Sequence, residues 1–168
     1  TLNSKYLRES ERFWKKYINN SSFKISIPHK NILHSSKEEG SRVGFELSPD
    51  LYQALKGFAH LHKTTLFVIL SSVLGILIYR YSKQENIFIG YSSGKRKKEF
   101  ENLCGFLVNN LPLRFDFFAN ASFIDILNQV HSHRLEAKQY ENHPLSEIVK
   151  ILNVDDRNLN RPVFDVMI

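Results

Sequence analysis

The sequence predicts an α/β fold with a mixed β-sheet packed by helices, and three observations carry that prediction. Strand-like and helix-like runs alternate in a mixed order along the 168 residues, the pattern of an α/β layer fold. Leu66 to about Ser82 is apolar on every side, as a helix enclosed by a core would be. Asn86–Tyr91 (NIFIGY) is a short apolar run that reads as a buried strand, and Gly105–Phe117 reads as a long strand.

Each element has its own local reason. Ser10–Tyr17 places Phe13, Trp14 and Tyr17 on one helical face and Glu11, Arg12, Lys15 and Lys16 on the other. Asn19–Ser22 is a break. Phe23–Ile27 alternates up to Pro28 and predicts a short strand. His29–Gly40 is polar and reads as an exposed loop. Arg42–Leu47 alternates Val43, Phe45 and Leu47, again a strand. Ser48-Pro49-Asp50 starts a helix to about Lys63, because Ser48 can cap and Pro49 suits a first turn whose N–H groups have no partner. Leu51, Leu55, Phe58 and Leu61 form its apolar stripe. Thr64 or Thr65 caps the next helix, in which Ser71, Ser72 and Gly75 make a small-residue patch that another element could approach closely. Ala121-Ser122 opens a helix to about Gln139, with Phe123, Ile126, Leu127 and Val130 on one face. Pro144–Leu152 is a shorter helix and Val163–Ile168 a last strand. The run PVFDVMI has no closing turn, which suggests a piece of a longer chain. No internal boundary divides residues 1–168.

The composition, 42% hydrophobic and 24% charged, is that of a globular domain. The net charge of +6 favours an acidic partner. The basic residues are scattered apart from Lys95-Arg96-Lys97-Lys98, which taken alone reads as a solvated loop. Aromatic residues do not interleave with that run, so it makes a poor single-stranded nucleic-acid groove. The one cysteine, Cys104, leaves no internal disulfide and fits a reducing compartment, hence a cytoplasmic location. TLNSKYLRES lacks the pattern of a signal peptide. The longest apolar run, Leu66–Tyr79, is shorter than the ~20 residues a membrane span needs.

Seven histidines invite a metal or catalytic reading. His60 with His62, and His131 with His133, are two apart on predicted helices and so do not share a face. No metal site follows. There is also no Gly-rich phosphate loop, G-x-S-x-G or H-E-x-x-H.

The order of several segments is more specific. TLFVILSSVLGILIYRYSKQENIFIGYSSGKR, LCGFLVNNLPLRFDF, YENHPLSEIV and LNRPVFDVMI follow one another with ERFWKKYI upstream. Together they resemble the condensation domain of non-ribosomal peptide synthetases over nearly the whole chain. That family has a Thr-led buried helix, a strand ending in Gly, a loop with an Arg, then I-G-x-F-V-N-T-L-P-L-R, H-Q-D-x-P-F-E-x-L-V and R-D-x-S-R-N-P-L-F-Q-x-x-F. The resemblance implies a chloramphenicol acetyltransferase-like lobe, one of two that enclose a channel. In the family, an amine and an acyl thioester arrive on 4'-phosphopantetheine arms of peptidyl carrier proteins and are joined as an amide. The H-H-x-x-x-D-G signature that carries the catalytic His does not occur in this sequence. The resemblance therefore implies part of a C-terminal lobe, inactive alone, with no directly bound cofactor and with carrier and neighbouring synthetase domains as partners.

By the same resemblance, Asn109 and Asn110 fall on the family's N-T pair. Adjacent strand residues point to opposite faces, so one can line the channel and the other enter a packed layer. A buried amide satisfying neighbouring backbone is the competing reading. Arg114 matches the family Arg, with a lobe-holding salt bridge as the simpler role. Gly105 matches a Gly that would permit close backbone approach. Arg96 matches the loop Arg, and Lys95, Lys97 and Lys98 enrich that loop, where positive charge could steer acidic carriers and the phosphopantetheine arm. Pro144 and Arg161 are retained as structural motif residues. Tyr140, Asn142, Leu145 and Ser146 replace the family's His, Asp, Phe and Glu. Ser92 stands for a Pro, and Asn160-Arg161-Pro162 is one residue shorter than S-R-N-P. These departures mark a divergent member. They leave open a non-catalytic platform that docks carriers or tailoring enzymes, and the epimerising, heterocyclising or ester-forming variants of the fold.

Overall fold

The computed structural model describes residues 4–19, 23–28, 40–94, 102, 104–105, 108–151 and 163–168. Its elements are α1 (Ser4–Ile18), α2 (Pro49–Leu61), α3 (Leu66–Ser82), β1 (Asn86–Ser93), β2 (Asn109–Asp116), α4 (Phe123–Gln139) and α5 (Leu145–Ile151). The expected loop over His29–Gly40 lies outside the described residues except for Gly40, and the run Lys95–Lys98 and Arg161 lie wholly outside them.

β1 and β2 pair antiparallel, with Ile87 opposite Phe115, Ile89 opposite Leu113 and Tyr91 opposite Leu111. These six side chains are all buried, and each such apolar side chain contributes about 1.5–3 kcal/mol. The terminal segment joins in parallel sense. The Gly90 N–H donates to Val166 O and the Ile168 N–H donates to Gly90 O, both at 2.9 Å. The expected final strand is thus a single bridge, Gly90 to Met167, yet it makes the sheet mixed. Gly90 is required here: a Cβ would come within 2.6 Å of the Phe164 ring.

One face of the pair meets α3, where the Phe115 ring lies where a Cβ on Gly75 would be, 2.5 Å away. The small-residue patch therefore admits an aromatic ring. Toward the other face, Phe88 meets Tyr17 of α1 and Phe23 at ring separations of 6.2 and 4.9 Å. Trp14 is fully buried, and Phe13 stacks on Tyr140 at 4.5 Å. α4 runs against β2 and α3.

The caps follow the sequence. Ser48 accepts from the Leu51 N–H, Thr65 from the Val68 N–H, and Ser122 and Asp125 form a capping box. Three expectations fail. Arg42–Leu47 is not a strand: Val43 and Phe45 are 89% and 84% exposed, and no described strand lies beside it to share a ladder. Phe23–Ile27 is not one either. Its Phe23 and Ile25 are buried, but the Ile25 N–H goes to Asp165 Oδ2 and the Ser26 N–H to Gln84 Oε1, side chains instead of a ladder. α3 is enclosed on one side only, and Leu70, Val73, Leu77 and Tyr81 form an exposed stripe. Apolar composition cannot say how many neighbours a helix has.

No single helix among the described residues is long and apolar enough to cross a membrane. α2 and α3 pass that test only as a pair bent by 101°.

Candidate functional site

Asn109 and Asn110 of the V-N-N-L-P-L-R run lie where β1 ends, β2 begins and α4 turns into α5. Val108 precedes β2 and is exposed, so the strand starts at Asn109 and not at Gly105. Gly105 is exposed, has nothing within 4 Å of where a Cβ would sit, and has no positive φ. The expected close backbone approach is absent there among the described residues.

Asn109 and Asn110 part as strand alternation requires. The Asn109 Nδ2 donates to Glu141 O at 2.9 Å and to His143 O at 2.7 Å. Both amide protons are spent on two turn carbonyls, so this nitrogen has no donor left for a ligand. Asn110 Oδ1 accepts from Ser92 Oγ at 3.1 Å near solvent. Ser93, one residue on, donates to Glu141 Oε2 at 2.6 Å. Glu141 thus meets β2 through its carbonyl and β1 through its carboxylate. The Pro144 carbonyl accepts from Glu147 and Ile148 and starts α5.

This arrangement borders two adjoining clefts that share Ser93, Gly94 and Glu141. One, of about 310 Å³, adds Val108, Asn109, Asn142 and Pro144. The other, of about 220 Å³, adds Phe67, Tyr91, Arg134 and Lys138. Burial pushes the Tyr91 phenol up to about 12, against the nearby Arg134 and with a smaller push from Glu141.

Behind the turn, His143 is 4% exposed, and its Nδ1 hydrogen-bonds Ser10 Oγ of α1 at 2.8 Å. Burial lowers its pKa, while Glu147 and Glu11 act the other way. Ser10 is fully buried, so the pair fastens α1 to the turn and offers no accessible nucleophile. Arg114 stands apart from the clefts. Its Nε donates to both carboxylate oxygens of Asp116, at 2.9 and 2.8 Å, and its Nη1 donates to Tyr17 O at 2.8 Å. The Tyr17 hydroxyl, raised by burial, accepts from the Arg114 N–H at 3.2 Å. Arg114 therefore ties β2 to α1.

Of the sequence-derived residues, the structure brings Asn109, Asn110 and Pro144 to the region of the clefts, and places Gly105 and Arg114 away from them. Sequence reasoning missed Glu141, His143, Ser93, Tyr91, Arg134 and Lys138. Glu141 and His143 flank the motif's departing Asn142. A substitution stands out in a sequence, whereas the hydrogen-bonding needs of a turn's own carbonyls do not. Among the described residues, no group of three or more His, Cys, Asp or Glu could hold a metal.

A family model described as "Condensation domain" matches residues 1–168. A linear gramicidin synthase of Brevibacillus parabrevis is 29% identical over 168 residues, covering 99% of this chain and 3% of that protein. Malpibaldin synthetase of Mortierella alpina is 28% identical over the same length, again covering 99% of this chain and 3% of that protein. The chain thus spans only a few per cent of the curated relatives it matches. Holo-AB3403, a four-domain non-ribosomal peptide synthetase, superposes with a TM-score of 0.78 at 19% identity, over 99% of this chain and 13% of that one. The X-domain from teicoplanin biosynthesis, solved in complex with OxyB, gives 0.70 at 18% identity, over 88% and 33%. The fold is the chloramphenicol acetyltransferase-like lobe of condensation domains.

Proposed function

Because the chain belongs to the condensation-domain family, we propose that it supplies part of the C-terminal lobe, over residues 1–168, of a domain that condenses a carrier-bound acyl or peptidyl thioester with a carrier-bound aminoacyl amine. The amine nitrogen attacks the thioester carbonyl. A C–N bond forms, the C–S bond breaks, and the carrier thiol leaves with the proton. The catalytic His of the family belongs to the H-H-x-x-x-D-G segment, which this sequence lacks, so the chain alone is inactive. Its contribution is channel wall and docking surface.

The observation that carries this reading is the family match over the whole chain, together with the position of Asn109 at a cleft where β1, β2 and the α4–α5 turn meet. Asn109 and Asn110 belong to the wall. Asn109 acts by holding the turn, and its Oδ1 is the atom left to meet a passing arm. Gly105, Arg114, Pro144 and Arg161 are structural. Lys95, Arg96, Lys97 and Lys98 steer acidic carrier proteins and the phosphate of the 4'-phosphopantetheine arm, an attraction screened over ~8 Å at physiological salt. The partners are peptidyl carrier proteins and neighbouring synthetase domains, in the cytoplasm.

The test loads one carrier protein with a donor aminoacyl thioester and a second with an acceptor. Both are mixed with the full-length protein, and dipeptidyl thioester is followed by mass spectrometry. Its appearance supports condensation. A second reading, a non-catalytic platform, is favoured by the likeness to an X-domain that was solved with OxyB. Absence of dipeptide with every donor, while carriers or a tailoring enzyme still bind, decides for the platform.

A further inference from the structure

Among the described residues, the cleft of about 310 Å³ at the start of β2 is lined by one charged side chain, Glu141. Its other polar groups are left as acceptors. Asn109 gives both amide protons to the carbonyls of Glu141 and His143, so toward a ligand it can only accept, through Oδ1. Asn142 is exposed beside it and adds another side-chain oxygen. Glu141 Oε2 accepts from Ser93 Oγ at 2.6 Å, and the carboxylate forms no ion pair among the described residues. Arg134 and Lys138 line the adjoining cleft instead, where the Arg134 guanidinium lies over the Phe67 ring at 5.3 Å. A half-buried carboxylate without a cation keeps its desolvation cost until a partner arrives. In sequence, Glu141 stands between Tyr140 and Asn142, at the place of the Gln in the H-Q-D motif that this segment resembles. The motif's neutral amide is a carboxylate here.

We propose that this cleft binds an alkylammonium group, with Glu141 Oε1, Asn109 Oδ1 and Asn142 Oδ1 accepting from the ammonium head and Val108 and Pro144 flanking its methylene stem. An ammonium has three donors and no acceptor, the complement of three oxygens. The cleft is at the small end of ligand pockets, sized for a side chain and not for a cofactor. The ammonium held here is not the amine that reacts. An amine must be neutral to attack a thioester, and a carboxylate beside it favours the charged form. The group that fits is a basic side chain of the substrate, of the lysine or ornithine type, which makes Glu141 a specificity-determining residue. The assignment to a thioester substrate rests on the condensation reading above; the ammonium site does not.

The test is saturation-transfer NMR titration of the full-length protein with Nα-acetyl-lysine amide and with its uncharged counterpart, Nα-acetyl-norleucine amide. The lysine derivative binds about tenfold more tightly, the scale of a hydrogen-bonded charge. Glu141→Gln, which restores the motif's amide, removes that difference. Asn142→Ala reduces it about threefold, and Glu9→Gln on α1 leaves it unchanged. Equal binding of the two derivatives to the unmodified protein, or an undiminished difference in folded Glu141→Gln, would each overturn the proposal. If Glu141→Gln does not fold, Asn142→Ala, at an exposed position, decides: an undiminished preference there overturns it. In dipeptide synthesis, a preference for lysyl over norleucyl thioester in the acceptor or the donor position supports the proposal and identifies which carrier brings the side chain. No preference in either position overturns the assignment to substrate. A lysine preference in binding without amide synthesis removes only the condensation reading, and amide synthesis without that binding preference removes only this site.

Discussion

The side-chain amide of Asn109 donates to the His143 carbonyl at 2.7 Å and, through its other proton, to the Glu141 carbonyl at 2.9 Å. One side chain at the start of β2 therefore holds the turn between α4 and α5. Asn109→Ala strands two partly buried carbonyls, and stability should fall by about 1–3 kcal/mol. Urea unfolding followed by circular dichroism reads this as a lower midpoint with an unchanged slope. A variant of unchanged stability but slowed amide formation would move Asn109 from support to substrate contact.

Two glycines should respond in opposite directions to alanine. At Gly75 the new Cβ falls 2.5 Å from two carbons of the fully buried Phe115 ring, and overpacking of this kind costs about 1–3 kcal/mol. Gly57, within α2, has nothing within 4 Å of the same position, so Gly57→Ala should stabilise by about 0.5–1 kcal/mol through helix propensity. Thermal unfolding of the two variants checks the contrast, and equal shifts would contradict it.

Arg114 joins Asp116 and the Tyr17 carbonyl through different nitrogens of one guanidinium. Lysine has a single ammonium and cannot keep this planar fork. Arg114→Lys should cost about 1.5–3 kcal/mol, the range for hydrogen bonds to charged groups. Tyr17→Phe removes only the hydroxyl that accepts from the Arg114 main-chain N–H, a different bond from those of the Arg114 side chain, so an Arg114→Lys, Tyr17→Phe double-mutant cycle should be close to additive. A large coupling energy would contradict this separation.

His143 supplies a pH dependence. Burial holds its folded pKa below the ordinary value, about 6.5 in an unfolded chain. Above that value both states are neutral and the contribution is constant. As pH falls below it, the unfolded chain takes up the proton first and the folded state loses stability until the lower folded pKa is passed. Unfolding at pH 8 and at pH 5.5 should show this loss in the unmodified protein and a smaller one in His143→Gln. Equal losses would place the effect elsewhere.

Features written in local chemistry are legible in the chain before it folds. The caps at Ser48, Thr65 and Ser122 need only their own first turns, so they read directly from the chain. The apolar run Ile87–Tyr91 reads as buried strand because burial on both faces leaves no alternation to misread, and Leu111–Phe117 because buried Leu111, Leu113, Phe115 and Phe117 alternate with partly exposed Arg114 and Asp116. The ordered motifs named the family, since order and spacing survive substitution. The tertiary structure alone decided which patterns found a partner. Val43 and Phe45 alternate as well as any strand, but a ladder needs a second strand and none is described beside them. α3 is apolar enough to be enclosed, yet its stripe of Leu70, Val73, Leu77 and Tyr81 is bare. The site shows the same division. An asparagine pair was visible, but not that Asn109 would spend both protons on carbonyls more than thirty residues away, nor that Tyr91 and Arg134 would meet around one cleft. Hydrogen-bond partners distant in sequence leave no periodicity behind; only the folded chain brings them within reach.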